Sequence, residues 1–139
     1  MKVLVIDGQG GGVGRALVTE LKRLWPQLTL TATGTNATAT AAMLRAGADQ
    51  GATGESAIRH QCKGADVIVG VVGIMHANAM LGEISPAIAM AVSLSDAHKV
   101  LIPLERCGVT IAGVTRQPLE ALIADAAARV AALADAPSH

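Results

Sequence analysis

The segment Val5-Ile6-Asp7-Gly8-Gln9-Gly10-Gly11-Gly12-Val13-Gly14-Arg15-Ala16-Leu17 constrains the fold of this chain more than any other. An apolar run over residues 2–6 ends in Asp-Gly, the pattern of a short strand buried on both faces. Five of the seven residues 8–14 are glycine. Val13, Leu17, Leu21 and Leu24 then recur at helical spacing, with Glu20 and Arg23 off the stripe, until Pro26 stops the helix. The unit is strand, glycine turn, helix. Ordering five glycines is costly in chain entropy for a turn alone, whereas glycines permit positive φ and let backbone N–H groups approach a ligand closely. A turn that feeds a helix N-terminus suits an anion such as a phosphate. Two readings stay open: a phosphate-binding loop, or a tight turn with no ligand.

The rest of the chain continues the alternation. Residues 28–33 read as a second strand, and Asn36 caps a helix that runs to Arg45 and closes at Gly47. Residues 51–56 read as a loop opening a short helix over 54–63, and residues 66–72 as a third strand. Ser85-Pro86 is a cap-and-first-turn pair for a helix toward Ala97, followed by a fourth strand over 100–104. A link over 105–108 leads to a fifth strand over 109–114. A link that short favours an antiparallel hairpin, since a parallel crossover needs about a dozen residues. Pro118 starts a last helix with Leu119, Leu122, Ile123, Ala126, Val130 and Leu133 on one face. The expected fold is an α/β three-layer sandwich of about five strands, mostly parallel with one antiparallel edge strand. A single domain over 1–134 with a frayed tail over 135–139 accounts for all 139 residues.

Composition narrows the function. The chain has no Phe, no Tyr and one Trp, Trp25. Without tyrosine there is no Tyr-Lys hydride-transfer chemistry, and one aromatic cannot build a base-stacking platform or a cage for a quaternary ammonium. Eleven Lys+Arg balance eleven Asp+Glu, so there is no basic surplus for nucleic acid. Neutrality carries a solubility cost that self-association commonly relieves, and a homo-oligomer, in the simplest form a homodimer, is expected, docking through the alanine-rich last helix. The apolar stretch over 67–81 is interrupted by glycines, His76 and Asn78 and falls short of the roughly 18–20 residues of a membrane span. The opening apolar run is too short for a secretion signal, so the expected compartment is the cytoplasm, with Cys62 and Cys107 as free thiols. No zinc-ligand spacing and no G-x-S-x-G elbow occur.

The candidate site gathers at the C-terminal edge of the expected sheet. It comprises Gly8, Gln9, Gly10, Gly11, Gly12, Val13 and Gly14, then Thr33, Gly34, Thr35 and Asn36, then Gly73 and Asn78 after the third strand. Asn36 also has a plain structural reading as a helix cap, and His76, between Gly73 and Asn78, as a hydrogen-bonded structural residue. His76 is the candidate acid–base group because imidazole titrates near neutrality, and Glu83 is the nearest carboxylate to orient it. Asp7 either accepts hydrogen bonds from its own loop or holds Mg²⁺ beside a phosphate. No carboxylate follows the second strand to hold a ribose, which favours NADP over NAD, with Arg15 or Arg45 for the extra phosphate.

Gly8, Gly12 and Gly14 fit G-x-x-x-G-x-G, which resembles the dinucleotide loop of short-chain dehydrogenases, with Asp7 in place of the usual opening Thr. Over most of its length the chain resembles a family of short, uncharacterised bacterial proteins, a domain of unknown function. That family opens V-I-D-G-Q-G-G-G-[IV]-G, and the match spans residues 5–14, 34–36, 43–48, 51–55 and 80–84. The resemblance implies a Rossmann-like domain and brings no assigned reaction. The expected ligand is NADP or another nucleotide or phosphorylated molecule, in a regulatory or accessory protein. The alternatives are a small enzyme on a phosphorylated metabolite or NADP, using His76, and a structural subunit with no ligand.

Overall fold

A computed structural model describes residues 1–104 and 108–135. In chain order the elements are β1 (Lys2–Asp7), α1 (Gly12–Leu24), β2 (Thr29–Gly34), α2 (Ala37–Arg45), β3 (Gln50–Thr53), α3 (Glu55–Gly64), β4 (Val67–Val71), α4 (Pro86–Leu94), β5 (His98–Ile102) and α5 (Leu119–Asp135). A single 3-10 turn, Val72–Met75, follows β4. The strands lie in the order β3-β2-β1-β4-β5, and every pairing is parallel.

The period-two geometry of β1 sorts its side chains into two cores. Val3 and Val5 join Leu30, Ala32, Val67 and Val69 under Leu17, Leu21, Met43, Ala127 and Val130, which puts α1, α2 and α5 on one face. Leu4 and Ile6 join Ile68 with Ile58, Cys62, Ile88 and Val92, which puts α3 and α4 on the other. The result is the expected three-layer sandwich. Alanines 126 and 127 are buried, so part of the small-residue surplus of α5 is spent on its close packing within the chain, beside α1 and the sheet.

The antiparallel edge strand is not there. Residues 109–114 form no strand, and the link at 105–107 falls outside the described residues. The strand that makes up the five is β3, which overlaps the segment read as a loop over 51–56. Gln50-Gly51-Ala52-Thr53 offers one β-branched residue and a glycine, so nothing in its composition signals a strand. It pairs with β2 at the sheet edge, mostly exposed, because backbone hydrogen bonds hold it rather than side-chain burial. Of the tail expected over 135–139, Asp135 ends α5, and residues 136–139 lie outside the described residues.

The chain leaves β1 toward β2 and β3 on one side, then crosses back to β4 on the other. The gap between the ends of β1 and β4 is therefore the topological switch point, where open parallel sheets bind ligands.

Candidate functional site

At that switch point lies a cavity of about 710 Å³. Its floor is the turn after β1, with Asp7, Gly8, Gln9, Gly10, Gly11, Gly12 and Val13. Its wall is the segment after β4, with Val71, Val72, Gly73, Met75, His76, Ala77, Ala79, Met80 and Leu81, and the far side carries Leu104 and Val109. No Lys or Arg among the described residues lines it.

The turn is held from beneath by Asp7. Its side chain lies under the start of α1, accepting from Gly8 N–H at 2.8 Å and Gly14 N–H at 2.6 Å. Burial pushes this carboxyl above its ordinary value, the two backbone bonds pull it back down, and nearby Glu83 pushes it up again. Both oxygens thus face the backbone, and Asp7 serves the turn. Gly14 is required because a Cβ there would stand 2.6 Å from Met43 Sδ and 2.8 Å from Asp7 Cβ. Gly11 is required because it sits at φ 74° as the N-cap of α1, with Ala39 Cα 2.8 Å from where a Cβ would be. Gly10 and Gly12 have neither constraint: a Cβ on either would meet nothing within 4 Å, and neither has positive φ.

The first turn of α1 keeps open donors. Gly11 N–H bonds Gly8 O, Gln9 N–H bonds Glu83, and Gly14 N–H bonds Asp7. The N–H groups of Gly10, Gly12 and Val13 have no acceptor among the described residues, and α1 has no side-chain cap.

The second group of sequence candidates is turned inward. Thr33 is fully buried, its Oγ1 without a hydrogen-bond partner among the described residues. Gly34 N–H donates to Thr40 Oγ1 at 3.1 Å. Asn36 caps α2, its Oδ1 accepting from Ala39 N–H at 2.9 Å. Thr35 and Asn36 both bind Glu83, and none of Thr33, Gly34, Thr35 and Asn36 lines the cavity.

Glu83 is the hub sequence reasoning placed elsewhere. Its Oε1 accepts from Thr35 Oγ1 at 2.5 Å, Gln9 N–H at 2.9 Å and Asn36 Nδ2 at 2.9 Å, and Asn36 Nδ2 also reaches Gln9 O. The Thr35 and Gln9 bonds hold its carboxyl below the ordinary range. Glu83 thus ties the segment after β4 to the ends of β1 and β2; no bond joins it to His76. The segment it ties down is strained. Asn78, Met80 and Leu81 have φ of 68°, 57° and 56°. Asn78 closes a turn through Ile84 O and stays off the cavity lining, whereas Gly73 and His76 line it. Met80 is among the lining residues that were not sequence candidates, because only the fold carries its sulfur to within 2.8 Å of where a Gly8 Cβ would lie.

Arg15 and Arg45 line a separate groove with Glu120 and Ala124 of α5. Cys62 is buried, its thiol pushed up to about 11 by desolvation, which makes it a packing residue. Among the described residues no group of three or more His, Cys, Asp or Glu is arranged to hold a metal, and no helix is long and apolar enough to cross a membrane.

A three-layer α/β domain with a ligand-sized cavity at its switch point is the class these features define. The chain belongs to the family described as "Domain of unknown function (DUF3842)", which matches residues 2–135. No curated protein matches it. Among solved structures it is similar to a dodecameric FMN-dependent UbiX-like decarboxylase from Escherichia coli O157:H7, at 14% identity and a TM-score of 0.45, over 99% of this chain and 96% of that one.

Proposed function

We propose that this protein is a nucleotide-binding module whose ligand sets its phosphate on the turn after β1 and its ring against the aliphatic wall after β4. The observation that carries this is the pair Gly10 and Gly12. The fold requires Gly11 and Gly14, yet nothing in the fold asks for glycine at 10 or 12, where a Cβ would project into open space. Bare backbone there is explained by a group that must come close to the unpaired N–H donors. The cavity volume falls within the ordinary range for small-molecule sites, and its mix of apolar wall and few polar groups is typical of them.

NADP is the ligand favoured on sequence grounds. Its extra phosphate would call on Arg15 or Arg45, and both belong to the groove against α5, so the reading rests on nucleotide binding in general. The role we propose is regulatory or accessory. A second reading, a small enzyme on a phosphorylated metabolite, is favoured by one observation: His76 lines the cavity. Under it, His76→Ala abolishes turnover and leaves binding intact. Self-association belongs to the proposal too, with Met90 and Leu94 exposed on the outer face of α4.

A thermal-melt panel of NADP, NAD, FAD, FMN, ATP, CoA and phosphosugars, with and without Mg²⁺, tests the proposal. A ligand at a hundredfold excess over its Kd adds about 2.7 kcal/mol of stability, which raises Tm by several degrees. A flat response to the whole panel overturns nucleotide binding.

A further inference from the structure

The cavity covers only half of the sheet edge. Its lining comes from the ends of β1 and β4 and from Leu104 and Val109 beyond β5, and no residue of β2, α2 or β3 takes part. A dinucleotide on a sheet of this order extends from the glycine turn over the end of β2. In this chain that direction is filled. A Cβ built on Gly8 would stand 2.6 Å from Thr35 Oγ1, 2.8 Å from Met80 Sδ and 3.1 Å from Glu83 Oε1. Glu83 bridges Gln9 on the first turn to Thr35 and Asn36 on the second, and so closes the passage between them.

The number of donors points the same way. Of the N–H groups of the turn, those of Gly10, Gly12 and Val13 are open among the described residues, and those of Gly8, Gln9, Gly11 and Gly14 are already bonded within the chain. No described Lys or Arg lines the cavity. Three open N–H groups suit the oxygens of one phosphate and leave the turn no donor for a second.

We infer that the site takes a ligand with one phosphate and one ring, and that the Glu83–Met80 latch excludes dinucleotides. This rests on the nucleotide-binding reading and sharpens it. The ring lies on the β4–β5 side, against Val71, Val72, Met75 and Leu104. The strained run through Met80 and Leu81 is explained as part of the latch, since it carries Met80 over Gly8 while Glu83 holds the two turns together.

Calorimetric titration of the full chain with matched pairs, FMN against FAD and NMN against NAD, is the test. The mononucleotide of at least one pair is expected to bind at least tenfold tighter than its dinucleotide. Glu83→Ala and Met80→Ala are expected to shrink that ratio at least threefold by opening the way to β2. Met80→Ala carries the test where Glu83→Ala fails to fold. A dinucleotide that binds the parent as tightly as its mononucleotide overturns the inference, as does a ratio unchanged in the folded variants. Silence from all four ligands, with a melt shifted by ATP or CoA, overturns it while leaving nucleotide binding standing. Silence across the wider panel as well removes both.

Discussion

Two strand-to-helix turns lie side by side at the C-terminal edge of the sheet, and they solve the same problem in opposite ways. The turn from β2 to α2 supplies side-chain acceptors of its own, Asn36 for Ala39 N–H and Thr40 for Gly34 N–H, and none of residues 33–36 lines the cavity. The turn from β1 to α1 has a glycine at its N-cap and no side-chain cap, and it leaves three donors open over a cavity. Both begin with a helix N-terminus. A cap supplied by the chain's own side chain takes one of the donors that a ligand would otherwise use, here Ala39 N–H. Only the uncapped turn opens on the cavity, and the capped one serves as its support through Asn36 and Glu83.

Substitutions in the two turns test that contrast. Gly14→Val is expected to have the largest effect, a loss of about 3 kcal/mol or more in denaturant unfolding, because the new side chain collides with Asp7 and Met43. Parent-like stability in this variant breaks the claim that α1 is seated by contact with Asp7. Asp7→Ala is next, at about 1–2 kcal/mol, since it strands the Gly14 N–H beneath the helix. Its pH dependence has a definite sign. The folded carboxyl is raised above the ordinary 3.8, so its contribution is full below that value and declines as pH rises through the raised value. The gap between parent and Asp7→Ala should therefore be widest in acid.

Glu83 titrates the other way. Its folded carboxyl lies below the ordinary 4.5, so its contribution is present above that value and is lost as pH falls through the depressed one. The advantage of the parent over Glu83→Gln should vanish in acid, and urea unfolding between about pH 7 and pH 3 reads both slopes. A Glu83 gap that instead grows in acid breaks the latch. Asn36→Ala should cost about 1 kcal/mol, the ordinary worth of a helix cap, measured by the same unfolding curves. Gly12→Ala is expected to move stability least, within about 1 kcal/mol and in the stabilising direction, because the position is open and helical. Nucleotide affinity in that variant should fall at least tenfold by titration. Unchanged affinity breaks the assignment of the open turn to ligand binding.

The strand–turn–helix opening was plain in the residues because three local signals agree there: an all-apolar strand, a glycine run and a helical stripe. The Asn36 and Ser85 caps were equally plain, since capping depends on residues only a few positions apart. The strand β3 was not, because Gln50 to Thr53 have no apolar pattern and their order comes from pairing with β2. The expected last strand at 109–114 shows the converse: Val109, Thr110 and Val114 favour a strand by type, yet the described sheet ends at β5 and residues 109–114 form no strand.

The same division holds in the site. That a glycine turn opens a helix, and that Asp7 sits at its base, follows from neighbours in sequence. Glu83 is different. It lies 74 residues from Gln9 and 48 from Thr35, and only the crossover that returns the chain from β3 to β4 carries it onto both turns. Local chemistry can announce a donor-rich turn, because its hydrogen bonds close within a few residues. Which donors stay open, and which side of the edge is shut, depends on side chains brought in from far along the chain, and that was settled by packing.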